Sequence, residues 1–481
     1  MRVLARRTWP LALVACSTAS GEAHRSPAPV APAAASPPTP SNAAPASAQA
    51  PGDPSKFPDG DASSKPAGLA TELRQQILIR RMLVEVEKAR GLEAGHPVRG
   101  AFLNREELMR HVKAHVAREL PPEAMRDEGL SLQLLGFVPT KFDYEAAEYR
   151  MLQDQLAGYY EPADGTMYMA TDLDDEEASA TLAHELVHAL QDRHWDLERR
   201  STYRPGEGDA AEAVSALAEG DATSAMFDVM IGNAGGARKT ALDVPDETFV
   251  AQIERGVAQG AGGEPHVMGT SLAAPYIYGT VFVNTLRRRG GWKAVDAAWE
   301  NPPVTTEQIL HVDKWLAHEP ALAVPAPTFA TLGSGWKLLE EDSEGELGSL
   351  IAFEEWLGLA DAREASAGWG GDRSVLVTAG GRSAFAWRLR YDRGRENEGR
   401  AAWAFQNVAG ALERRYGRPQ NSDAAFVCHE RADRGPIALL RNRSDLVLVL
   451  GPAATETSAW RSAGSCAQSR QWIREIVNAK E

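Results

Sequence analysis

The sequence predicts a mixed α+β protein: a mainly helical region with a small edge sheet over residues 67–324, then a small α+β region over 325–481. Three observations predict it. Over most of the first span apolar residues recur at three and four, the helical period. In the second, short alternating apolar runs interleave with helical stretches. Between them the Pro-rich stretch Pro320–Pro327 breaks both patterns. With 481 residues the chain is long enough for two or three domains. A net charge of −15 and a pI near 5.3 argue against a protein that neutralises nucleic-acid phosphates or coats an anionic membrane. No apolar run reaches the length of a membrane helix, which excludes a multi-pass transporter.

The N-terminus reads as an address. Residues 1–15 join a basic start, with Arg2, Arg6 and Arg7, to a short apolar stretch, the design of an export leader. Cys16 follows Leu13-Val14-Ala15 and resembles the bacterial lipobox, in which the Cys is acylated. A lipid anchor at Cys16 and a place in the bacterial cell envelope are therefore expected. Residues 16–66 form the expected tether: 17–66 hold 11 Pro and 13 Ala, with Val30 and Phe57 the only large apolar side chains. Such a segment buries too little surface to offset its ordering entropy. Two cysteines remain, Cys428 and Cys466, and in an oxidising compartment one disulfide between them is expected.

From Gly68 to about Arg90 the apolar residues Leu69, Leu73, Ile77, Ile79, Met82, Leu83 and Val86 keep a helical period, and Gly91 supplies a stop. Asn104, with Glu106 and Glu107 behind it, reads as the N-cap of a helix that runs to about Leu120 and ends at Pro121-Pro122. Another helix covers about Tyr144–Leu156. Two short aromatic runs around Asp164-Gly165, within Gly158–Met169, read as a β-hairpin. Asp174–Glu177 open a long helix with acidic residues where the helix dipole favours them. A further helix is expected over Ala210–Met230. Beyond 325, strands are expected at about Ser374–Val377, Phe385–Leu389, Ile437–Leu440 and Leu446–Leu450, and helices at 344–358, 399–416 and 467–478. Gly290-Gly291-Trp292 and Pro302-Pro303 read as structural punctuation. Gly368–Arg373 reads as a tight loop with an Asp372–Arg373 ion pair.

The chemistry is concentrated in residues 181–192, Thr-Leu-Ala-His184-Glu185-Leu-Val-His188-Ala-Leu-Gln-Asp192. His-Glu-x-x-His on a helix sets two imidazoles one turn apart on one face, where both reach a single Zn²⁺. Glu185 lies beside that face, placed to take a proton from a water on the metal, whose pKa zinc brings toward neutrality. Apolar Leu182, Ala183, Leu186, Val187, Ala189 and Leu190 bury the other faces, which sets the motif apart from two surface histidines.

A catalytic zinc takes three protein ligands and keeps one position open. Glu219, on the expected Ala210–Met230 helix, competes for third place with His194, Glu207 and Glu212. His194 has the spacing of metzincin ligands, but Gln191 stands where those enzymes turn the chain at a Gly. Glu207 lies between two glycines in a loop, and Glu212 shares a helical face with Glu219.

The order of hairpin, His-Glu-x-x-His helix and second helix bearing a Glu resembles the gluzincins, the thermolysin-like metallopeptidases. More narrowly, His184–Asp192, Ala216-Leu-Ala-Glu219-Gly-Asp-Ala222 and Thr305-Thr306-Glu307-Gln308-Ile309-Leu310-His311 look like a family of exported bacterial lipoprotein metallopeptidases. The likeness covers about 140–320, with Gly368–Arg373 extending it beyond. It implies a zincin-type fold, one catalytic Zn²⁺ held by His184, His188 and Glu219, and hydrolysis of peptide bonds with Glu185 as base. Gluzincins also use a Tyr or His on the oxyanion, a contribution of roughly 3–4 kcal/mol in comparable sites; Tyr278 and His311 are the candidates here. The chain departs from the thermolysin pattern in the 30 residues between His188 and Glu219 and in Thr223, where that pattern has Asp. Asp192 or Asp221 is then left to orient the first His. The expected partner is a peptide or protein substrate, not nucleic acid. The competing class is a non-catalytic zinc-binding envelope lipoprotein acting in binding or assembly; it has no use for Glu185 and calls for a fourth protein ligand such as His194.

Overall fold

The computed structural model describes residues 11–13, 64–233, 239–260, 263–456 and 459–479. Cys16, and the leader and tether apart from 11–13 and 64–66, lie outside the described residues. The fold is mixed α+β: a helical first part with a small sheet, then an eight-stranded antiparallel sheet.

The first part opens with a short strand β1 (Leu11–Leu13) and the helix α1 (Ser64–Arg90). Ile79, Leu83, Val86 and Arg90 form its buried stripe. The expected stripe does not extend back to Leu73 and Ile77, which are 63% and 51% exposed. Strand β2 (Arg99–Leu103), absent from the sequence reading, leads to α2 (Arg105–Glu119). Asn104 caps α2 as expected, accepting from the Glu107 amide while Glu107 accepts from the Asn104 amide. Helices α3 (Ala124–Leu135) and α4 (Tyr144–Gln155) precede the hairpin of β3 (Leu156–Glu161) and β4 (Thr166–Ala170). The hairpin turns at Gly165, whose φ of +63° suits a residue without Cβ. The sheet runs β1-β3-β4-β2, with only β2 and β4 parallel.

Asp174 then caps α5 (Asp175–Trp195) by accepting from the Glu176 and Glu177 amides. After the one-turn α6 (Leu197–Ser201) come α7 (Gly208–Asn233), α8 (Asp246–Gly260), α9 (His266–Gly290), α10 (Trp292–Glu300) and the short α11 (Thr306–Leu310) and α12 (Val312–Leu316). Helices α7 and α9 cross with their backbones touching. A Cβ on Gly279 would stand 1.9 Å from the Ala216 carbonyl oxygen, and one on Gly220 2.1 Å from the Gly279 carbonyl.

The second part comprises β5 (Lys337–Asp342), α13 (Gly345–Leu357), α14 (Leu359–Ser366), β6 (Trp369–Ala379), β7 (Arg382–Tyr391), α15 (Arg395–Tyr416), β8 (Asn421–Asp423), β9 (Phe426–His429), β10 (Ile437–Asn442), β11 (Asp445–Ala454), β12 (Arg461–Ser462) and α16 (Cys466–Asn478). Its strands run β5-β6-β7-β11-β10-β9-β8, with β12 on β11. Both faces are buried. Leu376, Phe385, Trp387, Leu446 and Leu448 join a core shared with Leu108, Val112 and Leu347. Val375, Val377, Ala386, Val447 and Val449 lie in a second core with Trp472, Ile473 and Ile476 of α16. That is why Leu446–Leu450 reads as an unbroken apolar run. A disulfide ties Cys428 of β9 to Cys466 of α16 across 38 residues of sequence.

Gly368–Arg373 is not the expected loop: from Trp369 it is the start of β6. Glycine is needed at 371 because a Cβ there would stand 2.3 Å from the Leu322 carbonyl oxygen. Nor do Asp372 and Arg373 pair. The buried Asp372 accepts from the Glu344 and Gly345 amides, the Ser343 hydroxyl and the indoles of Trp369 and Trp387. Arg373 donates to the Gly206 carbonyl, just ahead of α7.

Gly279→Ala is expected to cost roughly 3 kcal/mol or more in denaturant unfolding, since a helix backbone must move to admit the methyl. Gly399→Ala in α15, where the new Cβ meets nothing within 4 Å, is expected to be neutral or stabilising. Replacing both Cys428 and Cys466 with Ser is expected to cost about 4 kcal/mol by the loop-entropy relation, measured the same way under non-reducing conditions.

Candidate metal centre

The centre is built by α5 and α7 beneath the β3 strand. His184 and His188, four apart on α5, present their rings to one side, and α7 brings Glu219 opposite. His184 Nε2 lies 3.0 Å from His188 Nε2 and 3.1 Å from Glu219 Oε2; His188 Nε2 lies 3.6 Å from the same oxygen. Ligand atoms about 2.0–2.1 Å from a tetrahedral zinc stand roughly 3.3 Å apart, so the three donors fit one such ion without rearrangement. All are buried: His184 is 2% exposed, His188 0% and Glu219 4%. Two imidazoles and a carboxylate are a donor set for zinc or a similar divalent cation. The group is able to hold a metal ion.

Each charge in the group depends on the others. Burial by itself would raise the Glu219 carboxyl, but the facing His188 and His184 imidazoles outweigh it and hold it at about 2. Burial lowers the His184 imidazole. For His188 burial pulls the same way but is outweighed, chiefly by Glu219, and the ring is raised. Glu185, 0% exposed, is pushed up to about 8 by burial, against the pull of His188 and with the help of Glu219. A backbone hydrogen bond from Tyr160 also pulls it down, and no side chain donates to it.

The other candidates lie elsewhere. His194, still on α5 because the helix continues through Gln191, faces the Glu93 carbonyl 3.0 Å away. Glu207 pairs with Arg204 on the surface. Glu212 is buried on α7 but is not among the converging donors. The Tyr278 hydroxyl bonds Arg363, and His311 Nε2 lies 3.0 Å from Glu346 Oε1. The aromatic ring near His184 is Tyr276, with ring centres 6.1 Å apart. It shares with Gly279 the side of α9 turned toward α7, a relation that requires the helix to be recognised first. Asp192 does not orient a histidine; it accepts from the Tyr160 hydroxyl and the Leu197 amide. Asp221 reaches the second histidine, not the first, and does so through Gln191. A second acidic group, Glu307, Glu319 and Asp392, closes on the Lys314 ammonium at 2.5–2.8 Å, which accounts for its convergence without a metal.

Residues 336–461 match the family described as Domain of unknown function (DUF8575), a span that lies wholly in the second part and excludes the donor group. No curated protein and no solved structure matches the chain.

Metal analysis of the purified protein is expected to find one divalent cation per chain. His184→Ala or Glu219→Ala should lower zinc affinity by two orders of magnitude or more, and His194→Ala should leave it within a factor of about three.

Proposed function

We propose that the protein is a zinc-dependent metallopeptidase that hydrolyses peptide bonds, with Glu185 as its proton-transfer residue. The observation that carries this reading is Glu185 itself: a fully buried carboxyl group with no side-chain hydrogen-bond partner, beside three converging metal donors. Burying such a group costs free energy, and a metal site serving only structure has no need of it. Bound at His184, His188 and Glu219, zinc would supply Lewis acidity toward a carbonyl oxygen and lower the pKa of water.

The chain's own groups supply the rest. The Glu185 carboxylate takes a proton from the attacking water and passes it to the leaving amine. Tyr276, whose ring centre lies 6.1 Å from that of His184, joins Tyr278 and His311 as a candidate for the oxyanion. In this structure Leu11 and Ala12 occupy one side of β3, pairing antiparallel with Tyr159 and Gly158, and an extended substrate adds to that side in place of this leader segment. Gly158 lets β3 close on α5, for a Cβ there would stand 3.0 Å from Thr181 Cγ2. Anchoring through Cys16 in the cell envelope belongs to the same proposal and is supported by the leader and the Pro/Ala-rich segment behind it.

Incubation with a mixed peptide library tests the reading. Wild type is expected to cleave, and Glu185→Gln to bind zinc normally yet cleave at least about 10²-fold more slowly, in line with the loss of general acid–base catalysis. Equal cleavage by both, or none by either with zinc bound, contradicts it.

A further inference from the structure

We propose that Asp221 and Arg90 are positioning residues for the metal centre, which act through Gln191 to hold the His188 ring with its proton on Nδ1 and its bare Nε2 toward Glu219 and His184. The inference rests on reading those three donors as a metal centre.

The chain of contacts is continuous and buried. His188 Nδ1 lies 2.8 Å from Gln191 Oε1. Gln191 Nε2 donates to the Ala218 carbonyl at 3.0 Å and to Asp221 Oδ2 at 3.2 Å. Asp221 Oδ2 also accepts from the Trp299 indole at 2.8 Å, and its Oδ1 from Arg90 Nε at 2.6 Å. The second arm of Arg90 donates to Asp296 at 2.7 Å, and its guanidinium lies over the rings of Trp292 and Trp195, at 4.5 and 5.6 Å.

The direction of these bonds follows from their far end. A guanidinium only donates, and so does an indole N–H; a carboxylate and a main-chain carbonyl only accept. The Gln191 group facing Asp221 and Ala218 is therefore its NH₂. Its other end is the carbonyl oxygen, which also only accepts, so the His188 nitrogen facing it must carry the proton. A neutral imidazole protonated there has Nε2 free, the form that binds a metal. Without the Asp221 carboxylate only the Ala218 carbonyl holds the Gln191 NH₂ in place, and the amide turns over more readily to offer NH₂ to His188. The ring proton would then move to Nε2 and compete with the cation. Arg90 keeps Asp221 an acceptor because it neither loses its proton nor accepts a bond. Arg90 on α1 thus reaches His188 on α5 by way of α7.

A double-mutant cycle on zinc affinity, read by chelator competition on the full chain, tests the relay. Gln191→Leu and Asp221→Asn are each expected to weaken zinc binding about 10- to 100-fold, and the double variant no more than the worse single one. If Asp221→Asn leaves zinc affinity unchanged, or if the two effects multiply, Asp221 is merely structural and the proposal falls. A readout on the wild type does not depend on the variants folding. With ¹⁵N-labelled histidine in the metal-free protein at alkaline pH, the His188 ring should carry its proton on Nδ1, and a proton on Nε2 overturns the relay. Undiminished zinc binding by His184→Ala would instead refute the metal-centre reading itself, and the relay with it.

Discussion

The donor group depends on the contact between the backbones of α7 and α9. Glycines at 220 and 279 let the two helices meet at main-chain distance, and any side chain at either place would drive them apart. Glu219 stands next to Gly220, and Tyr276 lies three residues before Gly279, so one crossing sets the carboxylate donor and the aromatic ring together. Further along, polar bonds fasten the same pair of helices: Ser224 donates to Asn284, and Arg287 to both Ser224 and Asp228. The crossing is thus pinned in rotation as well as in distance, as a donor set required to converge to within a few tenths of an ångström demands.

The second part of the molecule fixes the start of α7. The Gly208 amide donates to Asp342 and Arg373 donates to the Gly206 carbonyl, while Thr306 of α11, in the first part, adds its amide and hydroxyl to Asp209. Gly345 must be a glycine here, because its φ is +71° and a Cβ would stand 1.8 Å from Asp209 Oδ1. Asp372 organises the loop that presents these groups. Burial raises its carboxyl to about 6, the like charge of Glu344 adds to the rise, and five donors supply the compensation. The eight-stranded sheet therefore serves as the footing of the helix that carries Glu219, a physical reason for the two parts to share one core.

The sequence was most legible where function is local. His184, Glu185 and His188 need only one helix to come together, and the Asn104 cap is decided within four residues. Glu219 required a family resemblance, because nothing local distinguishes it from Glu212 on the same face. Elsewhere tertiary contacts decide. Gly371 reads as part of a tight loop, whereas it marks a place where another backbone comes too close for a Cβ, as Gly279 does in α9. That reading hid the start of β6, and with no helix expected over α9 the nearness of Tyr276 to His184 stayed out of view. Gln191 was noted for continuing the helix, but its bond to His188 and the buried Arg90 beyond it depend on tertiary contacts between α1, α5 and α7 that no periodicity encodes.

What separates a catalytic centre from a structural one is the number of protein groups on the metal. The most direct measurement is the structure of the zinc-loaded protein phased at the zinc absorption edge. A single zinc bound by His184, His188 and Glu219 is expected, with the fourth position taken by solvent on the side of Glu185. A fourth protein ligand closing the site, or zinc bound away from these three residues, would contradict it.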